Sequence, residues 1–142
     1  MKNTAQVENL SNETITAGRY ERVMLIDDNS MDNFINKRLI ESCEFASDII
    51  ICNSGKEALD YFNSGQEIPS LVFLDINMPE MNGFEFLEAF ENLPADIHKQ
   101  CKVLMLSTSE SFKDLNKANK NRFVKKFLNK PLTIDVLKAI KI

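Results

Sequence analysis

Four short apolar runs divide the chain into polar and apolar stretches. They cover residues 23–26, 49–52, 71–74 and 103–106. Because each run is apolar at every position rather than at alternate ones, it predicts a strand that is buried on both faces, as in a parallel sheet covered by helices. A fifth strand, around residues 123–128, is mixed in polarity, which is typical of a sheet edge.

Helical patterns separate these strands. Ser30 is the predicted N-cap of the first helix, whose apolar residues Met31, Phe34, Ile35 and Leu39 recur at helical spacing. An S-x-x-E capping box opens the second helix at residue 54, Gly83 precedes the third, the fourth covers about 112–120, and Thr133 caps the last. Five helices alternating with five strands predict a doubly wound α/β fold. We expect one domain over 21–142, preceded by a flexible tail over 1–20.

Composition and charge narrow the possible partners and location. The chain has 142 residues, a net charge of −4 and 44% hydrophobic residues, values that suit a globular domain and argue against nucleic acid as the main partner. The longest apolar runs are too short for membrane insertion, and no secretory signal precedes them. Three cysteines without metal-ligand spacing indicate reduced thiols, so we expect a cytoplasmic protein.

Polar residues follow four of the five predicted strands. The first strand ends at Asp27 and Asp28, the third at Asp75, the fourth at Ser107 and the fifth before Lys130. Each has an ordinary explanation when it is considered alone: an acid in a loop, a capping hydroxyl or a surface lysine. Because the carboxyl ends of parallel strands share one edge of the sheet, where open α/β sheets bind ligands, the set favours a common site.

These motifs resemble the receiver domain of two-component response regulators. The similarity covers roughly residues 21–142 and depends on the Asp27-Asp28 pair, the run L-D-I-N-M-P-E-M-N-G around Asp75, Met-Leu-Ser107, and Lys130-Pro131. It implies a flavodoxin-like sheet of five parallel strands in the order 2-1-3-4-5. It also implies a stand-alone regulator of the chemotaxis type, a phosphoacceptor signalling domain that is not an enzyme.

The resemblance assigns a role to each residue of the site. Asp75 would accept a phosphoryl group from a histidine kinase or a histidine phosphotransfer protein. Mg²⁺ would be bound by the carboxylates of Asp28 and Asp75 and the main-chain carbonyl of Asn77, and by Asp27 mostly through water. Lys130 would pair with the phosphoryl oxygens. Metal and ammonium charges would then stabilise the transferring group.

The same resemblance implies a conformational switch and a protein that reads it. Ser107 matches the switch hydroxyl and Phe127 the switch aromatic, and a cis peptide is expected between Lys130 and Pro131. Thr108 stands where relatives usually have Ala or Gly, and its bulk would narrow access to the phosphoryl group. We expect the fourth helix, fifth strand and last helix to present the changed surface to a downstream target. The oligomeric state is left open.

Other functions remain to be separated from this one. A Mg²⁺-dependent phosphohydrolase with an aspartyl-phosphate intermediate would use similar residues, but Asn77, two positions after Asp75, offers no general acid. The four glycines form neither GxGxxG nor a P-loop, which argues against a nucleotide or flavin domain. A passive relay would hand the phosphoryl group onward without a surface change. Lysines over 113–130 form either a solvated face or a docking patch for an acidic partner.

Overall fold

A five-stranded parallel sheet in the order β2-β1-β3-β4-β5 lies at the centre of the fold. The computed structural model describes residues 19–108 and 112–141. The strands are β1 (Tyr20–Ile26), β2 (Ala46–Cys52), β3 (Leu71–Asp75), β4 (Lys102–Ser107) and β5 (Val124–Asn129). The helices are α1 (Ser30–Ser42), α2 (Gly55–Phe62), α3 (Gly83–Glu91), α4 (Ala95–Gln100), α5 (Phe112–Lys120) and α6 (Ile134–Ala139). The predicted flavodoxin-like fold and strand order are confirmed.

The middle strand, β3, is buried along its whole length. Val72 and Leu74 belong to the apolar core on one face of the sheet, and Leu71 and Phe73 belong to the core on the other face. Burying one such side chain stabilises the folded state by about 1.5–3 kcal/mol. The need to fill two cores explains why the run is apolar at every position. The strand order places the end of β3 at the middle of the sheet edge.

The prediction of five helices was wrong by one within the described residues. Helix α4, Ala95–Gln100, follows Pro94 and buries only Ile97 among its six residues. One buried position in a short polar segment leaves no apolar period to detect. Among the described helices, none is both long enough and apolar enough to cross a membrane.

The first strand begins earlier than its apolar run indicated. Tyr20 opens β1, where its main-chain N–H donates to the Phe45 carbonyl at 3.0 Å and its ring lies 5.0 Å from the Phe45 ring. Tyr20, the last residue of the predicted tail, therefore belongs to β1, and residues 1–18 of that tail lie outside the described part of the chain. Because Glu21 and Arg22 are polar, the apolar run used to predict this strand did not include its first residues.

Helix α1 starts from Asn29 rather than from the predicted cap Ser30. The Asn29 side chain accepts hydrogen bonds from the N–H groups of Met31 and Asp32, each at 3.0 Å. Both residues are good N-caps, so the sequence preference alone did not separate these adjacent positions. The predicted caps Ser54 and Thr133 do accept the first-turn N–H groups of α2 and α6.

The apolar residues of α1 point largely to solvent. Met31, Phe34 and Ile35 are 63%, 56% and 48% exposed, whereas the amide side chains of Asn33 and Asn36 are buried. The apolar spacing correctly predicted a helix, but these three residues form its outer surface. Exposed large apolar residues that lie together mark an interaction surface more often than isolated ones do.

Candidate functional site

The residues predicted at the strand ends do converge at one edge of the sheet. Asp27 follows β1, Asp75 ends β3, Ser107 ends β4, and Lys130 follows β5. Strand β5 pairs with β4, and just beyond its end the Lys130 main-chain N–H donates to the Ser107 carbonyl at 2.9 Å. The peptide bond between Lys130 and Pro131 is cis, as predicted.

The ammonium group of Lys130 is surrounded by three carboxylates. Its Nζ lies 3.0 Å from Asp27 Oδ2, 3.1 Å from Asp75 Oδ1 and 3.3 Å from Asp32 Oδ2. Asp32 lies in the first turn of α1 and was missed in the sequence analysis. Its position in the first turn of the helix that directly follows Asp27 and Asp28 was the available signal that it belongs to this edge.

Three acidic side chains lie close enough to share a cation. Carboxylate oxygens of Asp27, Asp28 and Asp75 are all within 4.8 Å of one another, with Asp28 exposed and the other two buried. Carboxylate oxygens are ligands that Mg²⁺ prefers, and an exposed side leaves room for the waters that it retains. The residues therefore fit Mg²⁺. Asn77 is exposed two residues after Asp75, and the role of its main-chain carbonyl remains a prediction.

Burial and charge act in opposite directions at Asp75. Burial, together with the Asp27 charge, raises the pKa of Asp75 from 3.8 to about 6, although the contact with Lys130 opposes this rise. At Lys130 burial lowers the pKa, but hydrogen bonds and charge interactions with Asp27 and Asp75 outweigh it, so the pKa is raised. The lysine is therefore cationic at neutral pH, where Asp75 is mainly ionised.

Neighbouring backbone and amide groups hold Asp27 in place. Its Oδ1 accepts a hydrogen bond from the Asn29 N–H at 2.9 Å, and the buried Asn33 side chain donates to its main-chain carbonyl at 2.8 Å. The same Asn33 amide donates to Asn53 Oδ1, 3.3 Å away, in the loop between β2 and α2. Asn33 thus connects two loops of the site, and nothing in its sequence context had indicated this.

The loop after β3 folds tightly against the end of the strand. The Gly83 N–H donates to the Ile76 carbonyl at 2.8 Å. A Cβ atom at Gly83 would lie 2.9 Å from the Asp75 carbonyl oxygen, closer than such atoms approach in proteins. Glycine is required here because the backbone passes so near that carbonyl. The loop thereby places Asp75 firmly at the site.

A groove runs from Lys130 to the exposed surface of α1. Its volume is about 270 Å³, and it is lined by Asp32, Ile35, Asn36, Thr108, Lys130, Pro131 and Leu132. Thr108 is exposed at this groove, and the prediction that its bulk narrows access to the phosphoryl group stays a prediction. The site is therefore continuous with the apolar surface that includes Ile35.

The two predicted switch residues lie on adjacent strands. Ser107 is fully buried at the end of β4, and Phe127 on β5 is half-buried against the core cluster that contains Met105 and Ala118. Phe127 is paired in register with Met105, two residues before Ser107. Their proximity fits the predicted switch, and their roles stay predictions.

The raised pKa of Asp75 predicts a pH-dependent stabilisation by Asp75→Asn in metal-free buffer. Between its ordinary value of 3.8 and about 6, Asp75 binds more protons in the folded protein than in the unfolded chain. The free energy of unfolding therefore falls as pH rises through this window. We expect Asp75→Asn to have little effect near pH 4 and to be stabilising above about pH 6. Urea unfolding from pH 4 to 8 measures this, and equal stabilisation at all pH values would contradict it.

Comparisons with known proteins agree with this geometry. The family model described as response regulator receiver domain matches residues 23–141. The probable methanogenesis regulatory protein FilR2 of Methanothrix harundinacea is 32% identical over 120 residues, which cover 82% of this chain and 76% of that protein. A two-component response regulator from Cytophaga hutchinsonii superposes with a TM-score of 0.78 at 31% identity, covering 84% of this chain and 92% of that one.

Other relatives differ widely in length. The 3',5'-cyclic-nucleotide phosphodiesterase regA of Dictyostelium discoideum is 29% identical over 118 residues, which are 14% of its length. A response regulator receiver protein from Dyadobacter fermentans is 28% identical with a TM-score of 0.76, covering 83% of this chain and 92% of that one. The similarity therefore concerns the domain that these proteins share.

Proposed function

The chain belongs to the response regulator receiver domain family, and on this premise we propose that Asp75 accepts a phosphoryl group from the phosphohistidine of a histidine kinase or phosphotransfer protein. The observation that carries the proposal is the position of Asp75, 3.1 Å from Lys130 and within 4.8 Å of two further carboxylates. In the transfer, a carboxylate oxygen of Asp75 bonds to phosphorus and the bond between phosphorus and the imidazole nitrogen breaks. With a pKa of about 6, Asp75 is mostly the required carboxylate at neutral pH.

The remaining residues position the group and offset its charge. Asp28 and Asp75, the Asn77 main-chain carbonyl, and Asp27 through water would hold Mg²⁺, which when bound neutralises charge on the phosphoryl oxygens. Lys130 supplies a second positive charge at the same place. Phosphoryl transfer depends mainly on such positioning and electrostatic stabilisation.

The exposed apolar surface of α1 supports the proposal that the phosphoryl donor is a protein. Met31, Phe34 and Ile35 are exposed, and Ile35 also lines the groove that contains Lys130. A donor that brings a phosphohistidine over Asp75 would cover these side chains at the same time. The donor that fits is a protein with an apolar face beside its phosphohistidine.

We further propose that phosphorylation changes the surface of α5, β5 and α6, which a downstream protein reads. Drawing Ser107 toward a phosphoryl oxygen vacates space into which Phe127 can turn. A hydrogen bond to a charged group contributes about 1.5–3 kcal/mol, enough to shift a two-state population by ten-fold or more.

Amide chemical shifts with and without beryllofluoride, a phosphoryl mimic, test this switch. We expect wild-type perturbations to reach β5 and α6, and Ser107→Ala to confine them to the loops around Asp75. If the wild-type perturbations are themselves confined to the loops around Asp75, the proposed switch is wrong and a passive relay replaces it.

The central experiment is labelling of the whole chain by acetyl phosphate, with Mg²⁺ or with a chelator. We expect one Mg²⁺-dependent phosphoryl group that hydroxylamine removes, as it does from acyl phosphates. Sustained turnover of a small phosphomonoester would instead favour the phosphohydrolase. No labelling under either condition would contradict the proposal.

Asp28→Ala should abolish Mg²⁺ binding while the protein stays folded. Asp28 is the exposed member of the acidic cluster, so its removal deletes a ligand without opening the core. The change also relieves repulsion among carboxylates, and the metal-free variant should be as stable as the wild type or more stable. Calorimetric titration with Mg²⁺ measures the loss, with Asp60→Asn, on the surface of α2, as the control. An unaltered affinity would remove Asp28 from the ligand set.

A further inference from the structure

The third contact of Lys130 differs from the other two. An ammonium group has three N–H donors, and here three carboxylate oxygens lie within 3.3 Å of its nitrogen. Asp27 and Asp75 belong to the buried acidic cluster, but Asp32 lies on α1, with its side chain 39% exposed at the groove. The Asp32 contact is also the longest. It is the one that solvent can most readily replace.

A phosphoryl group on Asp75 would need hydrogen bonds from Lys130. The donor that faces Asp75 can turn to the phosphoryl oxygens once that carboxylate becomes an acyl phosphate. A second donor can join it only if the contact with Asp27 or with Asp32 is given up. Asp27 is fixed by the Asn29 N–H and lies almost wholly out of solvent, with 5% of its side chain exposed. Asp32 can turn into water at a smaller cost because it is partly hydrated already.

We propose that Asp32 is a positioning residue that holds the Lys130 ammonium group in the unphosphorylated protein and competes with the phosphoryl group for it. The inference rests on the proposed function, since it assigns a further residue to the same site. Coupling of this kind is reciprocal. Weakening the Asp32 contact should favour the phosphorylated state, and phosphorylation should release the first turn of α1 from Lys130.

The affinity for beryllofluoride tests the competition in the full chain at saturating Mg²⁺. We expect Asp32→Asn to bind beryllofluoride about two- to five-fold more tightly than wild type, the range for a partly exposed ion pair. The matched control is Asp60→Asn, which removes a carboxylate that pairs with Lys56 at 3.0 Å on the surface of α2. The control should leave the affinity unchanged. An equal or weaker affinity in Asp32→Asn would overturn the proposal.

A tighter affinity in Asp32→Asn could also arise because the Asp32 carboxylate repels beryllofluoride. The NMR signal of the Lys130 ammonium group separates the proposed contact from this repulsion. In free protein the signal should differ between wild type and Asp32→Asn, because one hydrogen-bond partner is lost. With beryllofluoride bound, the two signals should coincide, because the contact is then broken in both proteins. Signals that agree in the free state, or still differ in the bound state, would overturn the proposal. If wild type binds no beryllofluoride, the proposed function fails as well.

Discussion

Asp75→Asn should reduce labelling by acetyl phosphate, or by a phosphorylated kinase, to background. The amide lacks the anionic oxygen that must bond to phosphorus, and no described carboxylate replaces it in the same position. Asp27 contacts Lys130 and the Asn29 N–H, and Asp28 lies at the exposed side of the cluster. Both should remain metal ligands rather than phosphoacceptors.

Incorporation of radiolabelled phosphoryl groups with Mg²⁺ present measures this effect. Asp60→Asn, an equivalent change on the surface of α2, should be labelled like wild type. Because Asp75→Asn is expected to be at least as stable as wild type at neutral pH, unfolding would not explain a loss of labelling. Undiminished labelling would remove Asp75 from the centre of the proposed function.

Lys130→Met should strongly destabilise the metal-free protein at neutral pH. Lys130 is 14% exposed and is the shared partner of two buried carboxylates, Asp27 and Asp75. Removing one partner of a buried ion pair leaves uncompensated charge and costs about 3–5 kcal/mol. The side of the site at Asp28 is open to water, so we expect a value near the lower end, roughly 3 kcal/mol.

Urea unfolding at pH 7 with a chelator measures the free energy. Lys126→Met, an exposed lysine on β5, is the matched control and should change the stability by less than about 0.5 kcal/mol. The cost of Lys130→Met should shrink in the Asp75→Asn background, since neighbours that share a network are not additive. Equal costs at the two lysines would show that the carboxylates do not depend on Lys130.

The sequence determined most of the fold and the deepest part of the site. The run before Asp75 is apolar at every position because β3 is covered on both faces, and such a run can be recognised in the sequence alone. A parallel sheet brings its carboxyl ends to one edge, so the convergence of Asp27, Asp75, Ser107 and Lys130 follows once the strands are recognised.

Contacts that depend on side-chain direction were decided only by the tertiary structure. Helical spacing predicted α1, but the exposure of Phe34 and the burial of Asn33 depend on how the helix is rotated against the sheet. Asp32 meets Lys130, which is distant in sequence, because the first turn of α1 lies beside the end of β5. A local pattern reports the period of one element, whereas a contact between two elements depends on how both are packed. The sequence therefore predicted the acidic cluster but not Asp32, the third partner of Lys130.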